Sequence, residues 1–372
     1  MRKILISGGA GFIGSALASR LVSKGHPVTV LDNLSAQIHG EHPAVSGDSG
    51  YTLLQGDVRS RDDWLRALAG QQVVVHLAAE TGTGQSMYEV ERYSDVNVGG
   101  TAKLLDILAN HDHSVEKLVV ASSRAIYGEG KYSCGRHGTV YPGARTARDM
   151  SLGDFSVKCP ECGGAATALP TDEDSKLHPT SVYGISKLTQ EQLTMTVGRA
   201  LGIPAVALRY QNVYGPGQSL QNPYTGILSI FSTRIRNGSP VSIFEDGTEG
   251  RDFIFIDDVV EATLLAIDEA AANFELFNVG SGIKTDVLTV ARALQAALGG
   301  SSAIEVNGKF RVGDIRDNFA DISKIGDRLG FVPAVAFHDG IRRFAEWVTT
   351  QRVPVDRFEE SLREMHRRGL YK

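Results

Sequence analysis

Residues 3–21 read KILISGGAGFIGSALASRL. Ile4, Leu5 and Ile6 form a continuous apolar run, the pattern of a strand buried on both faces. Beyond the glycines, Ile13, Leu17 and Leu21 recur every four residues, as one face of a helix requires. Gly25 and Pro27 predict where that helix stops. The glycines fit two spacings, Gly9-x-Gly11-x-x-Gly14 and Gly8-x-x-Gly11-x-x-Gly14. Glycine lets the backbone turn tightly, approach a pyrophosphate and pack helix on strand, while free N–H groups at the helix start face the phosphates. Alone, such a run is an ordinary tight strand-to-helix turn. Here the next strand, 28–31, ends at Asp32. That acid is placed to accept hydrogen bonds from a ribose 2′-OH and to repel a 2′-phosphate, so the expected cofactor is NAD rather than NADP. Gly8, Gly11, Phe12, Ile13, Gly14, Asp32 and Asn33 form the first expected cofactor contacts.

Strand and helix patterns alternate outward from this unit. Strands are predicted at 52–55, 73–77, 118–122 and 205–209, and helices at 61–68, 101–109 and 183–201. Alternation of this kind signals an α/β fold, a doubly wound parallel sheet of the Rossmann type. Asp57 and Val58 follow the third strand, where an acid can meet the adenine amine. Leu77, Ala78 and Ala79 end the fourth strand beside His76, leaving room for a cofactor against the backbone. The NAD-binding domain is expected at 1–128 and 179–209, with segments returning near 252–280. Residues 210–251 and 281–372 read as a smaller α+β substrate lobe, with helices at 286–298, 339–350 and 356–368 and one more sheet strand at 276–279. Between 129 and 178 the rhythm stops: many glycines and prolines, all three cysteines and no sustained apolar period mark an insertion that needs its own staple.

The chain has 372 residues, 42% hydrophobic and 22% charged, an ordinary globular composition. A net charge of −5 without a basic stripe argues against nucleic acid and anionic membranes as partners. No apolar stretch reaches the roughly 18 residues of a membrane span. Three cysteines are too few for a disulfide framework, and a reducing cytoplasmic setting is expected.

Tyr183-Gly-Ile-Ser-Lys187 opens a predicted helix. Positions i and i+4 share a helix face, so the phenol and the ammonium can share a site. A free tyrosine titrates near ~10, too high for a base at neutrality. A neighbouring ammonium and a positive nicotinamide ring both favour the phenolate. Ser123, at the end of the 118–122 strand, can hydrogen-bond the same substrate oxygen. A lone Tyr/Lys pair at this spacing is usually a surface feature; the glycine turn, Asp32 and Ser123 change that reading.

With these motifs the chain resembles the extended short-chain dehydrogenase/reductase superfamily, in its NAD-dependent sugar-nucleotide epimerase branch. The resemblance rests on Gly8–Gly14, Asp32, Asp57, His76–Ala79, Asn97-Val-Gly-Gly-Thr101, SSRAIYG at 122–128, Tyr183–Lys187, RYQNVYGP at 209–216 and Arg251-Asp252-Phe253. It implies that Tyr183 is the catalytic base, Lys187 holds the nicotinamide ribose and Ser123 assists Tyr183. It places Asn97 with the cofactor, and Asn212, Arg251 and Arg311 on the nucleotide diphosphate. Gln211 stands where the branch usually has Phe. The resemblance also implies a homodimer built on the helices 101–109 and 183–201. Leu105, Leu108 and Ala109 would form an outer apolar patch, unless they pack inward as helix faces usually do.

The branch shares oxidation of a sugar hydroxyl as its first step and diverges by added groups. Its 4,6-dehydratases carry Asp-Glu directly after the serine; here those positions are Arg124 and Ala125. Decarboxylases usually place Glu, and 3,5-epimerases Cys, at the position of Ala125. Thr171-Asp172-Glu173 lies in the loop before Tyr183, not at that position. The missing machinery leaves plain 4-epimerisation through a transient 4-keto sugar. Thr81 and Thr83 follow the fourth strand and are expected in the sugar pocket.

Cys134-Gly-Arg-His137 and Cys159-Pro-Glu-Cys162 each bring two ligands onto one tight knuckle, as a tetrahedral zinc requires. Reduced thiols or a Cys159–Cys162 redox pair remain alternatives, the latter without a following helix start to lower a thiol pKa. An insertion of this kind resembles that of enzymes assigned as dTDP-L-rhamnose 4-epimerases. The expected substrate is therefore a nucleotide sugar such as a dTDP-6-deoxyhexose. A UDP-glucose/galactose 4-epimerase or another sugar-nucleotide epimerase of the branch, such as one acting at C2, is the first alternative, and a non-catalytic NAD-binding regulatory protein the alternative of another class.

Overall fold

A computed structural model describes residues 1–40, 50–222, 224, 226–353 and 355–372. Seven strands form the central sheet: β1 (Ile4–Ser7), β2 (Val28–Asp32), β3 (Thr52–Gln55), β4 (Val73–His76), β5 (Lys117–Ser123), β6 (Ala205–Tyr210) and β7 (Leu276–Val279). Their order is β7-β6-β5-β4-β1-β2-β3, and every neighbouring pair is parallel. The order reverses between β1 and β4, which opens a crevice at the carboxyl ends where ligands of such sheets bind.

Alternation along the strands explains why helices cover both faces. Ile4, Ile6, Val28, Val30, Val73, Val75, Val119, Val206 and Leu208 belong to one apolar core. Leu5, Leu31, Val74, Leu118, Val120, Ala205 and Ala207 belong to the other. The first core continues into the second lobe through Tyr214, Phe253, Val259 and Phe344, so that lobe shares buried surface with the sheet. There Asn212–Tyr214 pairs in parallel with Gly250–Phe255, and Val241–Ile243 pairs in parallel with Ile304–Val306. The insertion builds a small antiparallel sheet, with Tyr132–Cys134 between Gly138–Val140 and Thr167–Ala168. Tyr132, Cys134, Val140, Val157 and Cys159 form its separate core.

The predicted strands and helices of the sheet region recur within one or two residues. One expectation fails. In the helix Gly100–Asn110, Leu105 and Leu108 are each only 3% exposed and pack in the second core, while Ala109 faces outward. Six buried positions give this helix a wide apolar stripe, and the sheet beneath takes both leucines. No helix among the described residues is long and apolar enough to cross a membrane.

Candidate active site and Cys/His centre

A cleft of ≈ 630 Å³ runs from the glycine turn along the carboxyl ends of the strands into the second lobe. Gly8, Gly11, Phe12, Ile13, Gly14, Asp32, Asn33, Val58, Leu77, Ala78 and Ala79 line its first half. Gly8 has φ +71°, and a Cβ there would lie 2.7 Å from the Ala78 nitrogen. A Cβ on Gly14 would lie 2.4 Å from the Gly8 carbonyl oxygen. The turn therefore closes only with glycine at both positions. Gly11 starts the helix Phe12–Ser23 with no side-chain cap, which leaves its first N–H groups for a ligand.

Asp32 accepts hydrogen bonds from the N–H of Ala10 at 3.0 Å and of Leu34 at 2.9 Å. Burial alone would raise this carboxyl, but the His39 ring and those N–H groups hold it below its ordinary range. It stays a carboxylate with lone pairs left for a ribose diol. This cradle of bare N–H groups and a buried acid fits a dinucleotide with a free 2′-OH.

Two expected cofactor residues, Asn97 and Asp57, are not among those that line the cleft. Asn97 is fully buried, absent from the cleft wall, and joins Glu80 to the tyrosine helix. Its Oδ1 accepts from the Glu80 N–H at 2.7 Å, and its Nδ2 donates to Ser186 Oγ at 2.9 Å. Asp57 is also not among the lining residues, and its carboxylate meets Arg59 at 2.8 Å. That partner pulls the acid down to about 2. Gly56 and Val58 line the cleft on either side of it.

Ser123, Tyr183 and Lys187 meet midway along the cleft. Ser123 ends β5. Tyr183 opens the helix Val182–Leu201, which Ser181 caps by accepting from the Gly184 N–H at 3.1 Å. The Tyr183 N–H donates to Ser86 Oγ at 3.0 Å, fixing the helix start against the 83–86 turn. Burial raises the phenol above its usual range, opposed by the Ser123 hydroxyl and the Arg124 cation. Burial lowers the Lys187 ammonium to about 7. Its Nζ donates to Gln190 Oε1, and a buried chain continues behind it. Gln190 Nε2 donates to Thr101 Oγ1 at 2.8 Å, Thr101 meets His76 Nε2 at 3.0 Å, and His76 Nδ1 meets Ser7 Oγ at 2.6 Å. Burial, reinforced by Lys187, drops His76 to about 3 and keeps the ring neutral. Sequence spacing gives no sign of this chain, since its members lie on four separate elements.

Thr81, Thr83, Arg124, Asn212, Arg251 and Arg311 line the second half, as do Gln211, Phe244 and Glu249. Arg124 Nε donates to Asn212 Oδ1 at 2.6 Å. Arg251 donates to the carbonyls of Ile315 and Arg316, each at 2.7 Å, and Arg311 Nε to Asp314 Oδ2 at 2.7 Å. Neither Arg124 nor Arg251 has a carboxylate partner among the described residues, so both cations remain available to an anion. Asp172 and Glu173 stay outside the cleft: Asp172 pairs with Lys131, and Glu173 accepts the Asn278 N–H at 2.7 Å.

The insertion gathers Cys134, His137, Cys159 and Cys162, with ligand atoms all within 4.8 Å of one another. Cys134 Sγ lies 3.7 Å from Cys162 Sγ and 3.7 Å from His137 Nδ1, and Cys159 Sγ lies 3.5 Å from that nitrogen. A tetrahedron with bonds of ~2.3 Å to sulfur and ~2.0 Å to nitrogen has S···S edges near ~3.8 Å and S···N edges near ~3.5 Å. The backbone N–H groups of Arg136 and His137 pull Cys134 down to about 6, toward the thiolate a metal needs. None of the four lines the cleft.

A doubly wound sheet with a glycine phosphate turn, a ribose acid and a Ser/Tyr/Lys group at its carboxyl edge defines an enzyme class that works on a hydroxyl-bearing carbon with a dinucleotide. Comparison narrows it. The chain belongs to the NAD dependent epimerase/dehydratase family, matched over residues 4–145 and 159–280. It is 39% identical to a dTDP-L-rhamnose 4-epimerase of Burkholderia thailandensis over 355 residues, 94% of this chain and 96% of that protein. Among solved structures it is similar to a UDP-glucose 4-epimerase of Thermotoga maritima with UDP-glucose, at TM-score 0.74 and 29% identity over 93% of this chain and 98% of that one. It also matches the Thermus thermophilus UDP-glucose 4-epimerase complex with NAD, at TM-score 0.75 and 28% identity over 94% and 100%.

The cleft wall carries one testable electrostatic cost. Glu249 is 8% exposed, its Oε2 has no hydrogen-bond partner, and burial raises its carboxyl to about 7. The unfolded acid titrates near ~4.3, so below that pH both states are protonated and there is no penalty. As pH rises from ~4.3 to about 7 the unfolded acid gives up its proton while the folded one keeps it, so stability falls across that window and levels off above it. Glu249→Gln is expected to stabilise the ligand-free protein by about 1–3 kcal/mol at pH 8 and by nothing measurable at pH ~3.5, below the unfolded pKa, read by urea denaturation at both pH values.

Proposed function

We propose that this protein is an NAD-dependent nucleotide-sugar 4-epimerase acting through a transient 4-keto sugar. The observation that carries the reading is the cleft itself: Ser123, Tyr183 and Lys187 border the same space as the glycine turn and Asp32, while Arg124 and Ala125 offer no carboxylate for dehydration. NAD⁺ held by the glycine turn and Asp32 would supply the hydride acceptor for C4 and the source of its return. Tyr183, as phenolate, takes the C4 hydroxyl proton, and Ser123 holds that oxygen in line with it. A raised phenol in the ligand-free protein makes the base dependent on cationic surroundings: Arg124, which already lowers it, the Lys187 ammonium one helical turn on, and the positive ring a bound cofactor would bring. Arg124, Arg251 and Arg311, with Asn212, hold the diphosphate while the sugar turns over between hydride transfers.

The relative from Burkholderia and the Cys/His insertion together favour a dTDP-6-deoxyhexose such as dTDP-L-rhamnose; the UDP-glucose 4-epimerase structures favour UDP-glucose as the second reading. A panel of nucleotide sugars followed by NMR tests both, through inversion at each ring carbon. Tyr183→Phe is expected to bind NAD⁺ normally and lose turnover by about 10³-fold or more, and Ser123→Ala to lose less. Turnover within tenfold of wild type in Tyr183→Phe would refute the assignment of the base.

The tetrahedral spacing supports one structural Zn²⁺ held by Cys134, His137, Cys159 and Cys162, with no position open to water. One equivalent of zinc is expected by elemental analysis of untagged protein, and its removal by a chelator should loosen 129–171 while NAD⁺ binding persists. Protein purified with no bound metal and an intact insertion would exclude it.

The homodimer belongs to the same reading, with a changed interface. Since Leu105 and Leu108 are committed to the core, the outer surface of the helix pair offers Ala102, Ala109 and Ile185 instead, the last 53% exposed. Light scattering at micromolar concentration is expected to give twice the 40.0 kDa chain mass.

A further inference from the structure

We propose that the Cys/His insertion is a clamp on the nucleotide end of the cleft, with Arg145 as its positioning residue. The inference rests on the reading that this end receives a nucleoside diphosphate. Arg145 is 4% exposed and uses all five of its N–H donors. Two go side by side to Glu245, at 2.7 and 2.8 Å, across 100 residues of sequence. Nε reaches Glu129 at 3.2 Å, and the remaining two reach the carbonyls of Phe155 at 3.2 Å and Asp314 at 3.0 Å. Arg316 joins the same acids and adds a third: its Nη1 lies 2.9 Å from Glu245, its backbone N–H donates to Glu129 at 2.7 Å, and its Nη2 donates to Asp246 at 2.8 Å.

These bonds converge on segment 311–321, from which Arg311, Gly313, Asp314 and Ile315 line the cleft. Arg251 grips the segment from the cleft side through the carbonyls of Ile315 and Arg316. The insertion grips it from the other side at further points. The Tyr132 hydroxyl donates to the Asp317 carbonyl at 3.3 Å. The Thr171 N–H donates to the Phe319 carbonyl at 2.9 Å, and the Asp321 N–H to the Thr171 carbonyl at 2.9 Å. Tyr132 begins the three-residue strand that ends at Cys134, so the Cys/His cluster and the clamp share one element. Loosening the cluster therefore frees the segment that sets Arg311 and Asp314, while the glycine turn, on the far end of the cleft, is untouched.

The test uses NAD⁺-loaded protein, calorimetric titration with dTDP and with UDP, and amide hydrogen exchange. Arg145→Gln is expected to weaken diphosphate binding about tenfold, leave NAD⁺ affinity within about twofold, and speed exchange at 311–321. The paired change Cys134→Ser with Cys159→Ser should do the same, and adding Arg145→Gln to it should cost less than the product of the separate losses. Should Arg145→Gln fail to fold, Arg145→Lys carries the comparison, since one ammonium keeps the charge but cannot span both acids and both carbonyls. Unchanged exchange and affinity, multiplying losses, or an equal fall in NAD⁺ affinity would each overturn the clamp. Wild-type protein that binds neither diphosphate would overturn the substrate reading instead, and exchange at 311–321 would still decide the clamp.

Discussion

The catalytic geometry hangs on one buried ion pair. Arg209, on β6 and 2% exposed, holds Glu191 of the tyrosine helix through Nε at 3.0 Å and Nη2 at 2.7 Å. Its Nη1 binds the Tyr127 hydroxyl at 2.7 Å and the Glu173 carbonyl at 2.8 Å. Tyr127 closes the turn after Ser123, so this one guanidinium ties the serine turn, the tyrosine helix and the end of the insertion to the sheet. Desolvating two charges is costly, and the bidentate geometry with the two further bonds of Nη1 offsets it. Removing either partner would strand a buried charge at a cost of about 3–5 kcal/mol, with Tyr183 no longer fixed against Ser123.

Around that anchor the site separates two electrostatic tasks. The cofactor half uses backbone: bare N–H groups at a helix start and one buried acid held ionised by hydrogen bonds. The second half presents Arg124 and Arg251, guanidiniums without acidic partners among the described residues, beside Arg311, which Asp314 holds. Between them, Tyr183 and Lys187 are both pushed toward their neutral forms by burial. Charge on either becomes favourable when ligands bring opposing charge and exclude water, a usual way for a site to couple binding to proton transfer. The neutral His76 behind them supports Thr101 and Gln190 without adding a second cation.

The insertion shows how a segment with no long element can be structural. Its own core has five buried residues, two of them cysteines. So small a core contributes little stability of its own, and beside it two knuckles bring four potential ligand atoms together. Its remaining polar groups turn outward onto the substrate lobe through Glu129, Tyr132 and Arg145.

The sequence by itself determined whatever depends on neighbours within a few residues. The glycine turn, Asp32 at a strand end, the shared helix face of Tyr183 and Lys187, and the two x₂ knuckles are all local patterns, so spacing alone shows them. The alternation of apolar strands with amphipathic helices determined the doubly wound sheet, because strands buried on both faces must be covered twice. Tertiary structure decided what depends on direction and distant partners. The periodicity of Gly100–Asn110 marks an apolar stripe but not what it faces, and the sheet claimed Leu105 and Leu108. Asn97 carries a motif, yet its amide bridges Glu80 and Ser186, 89 residues apart from the latter in sequence. Arg145 and Glu245, like Arg209 and Glu191, meet only when the chain is folded, since a charge has no spacing signature and its partner is fixed by the path of the backbone between them.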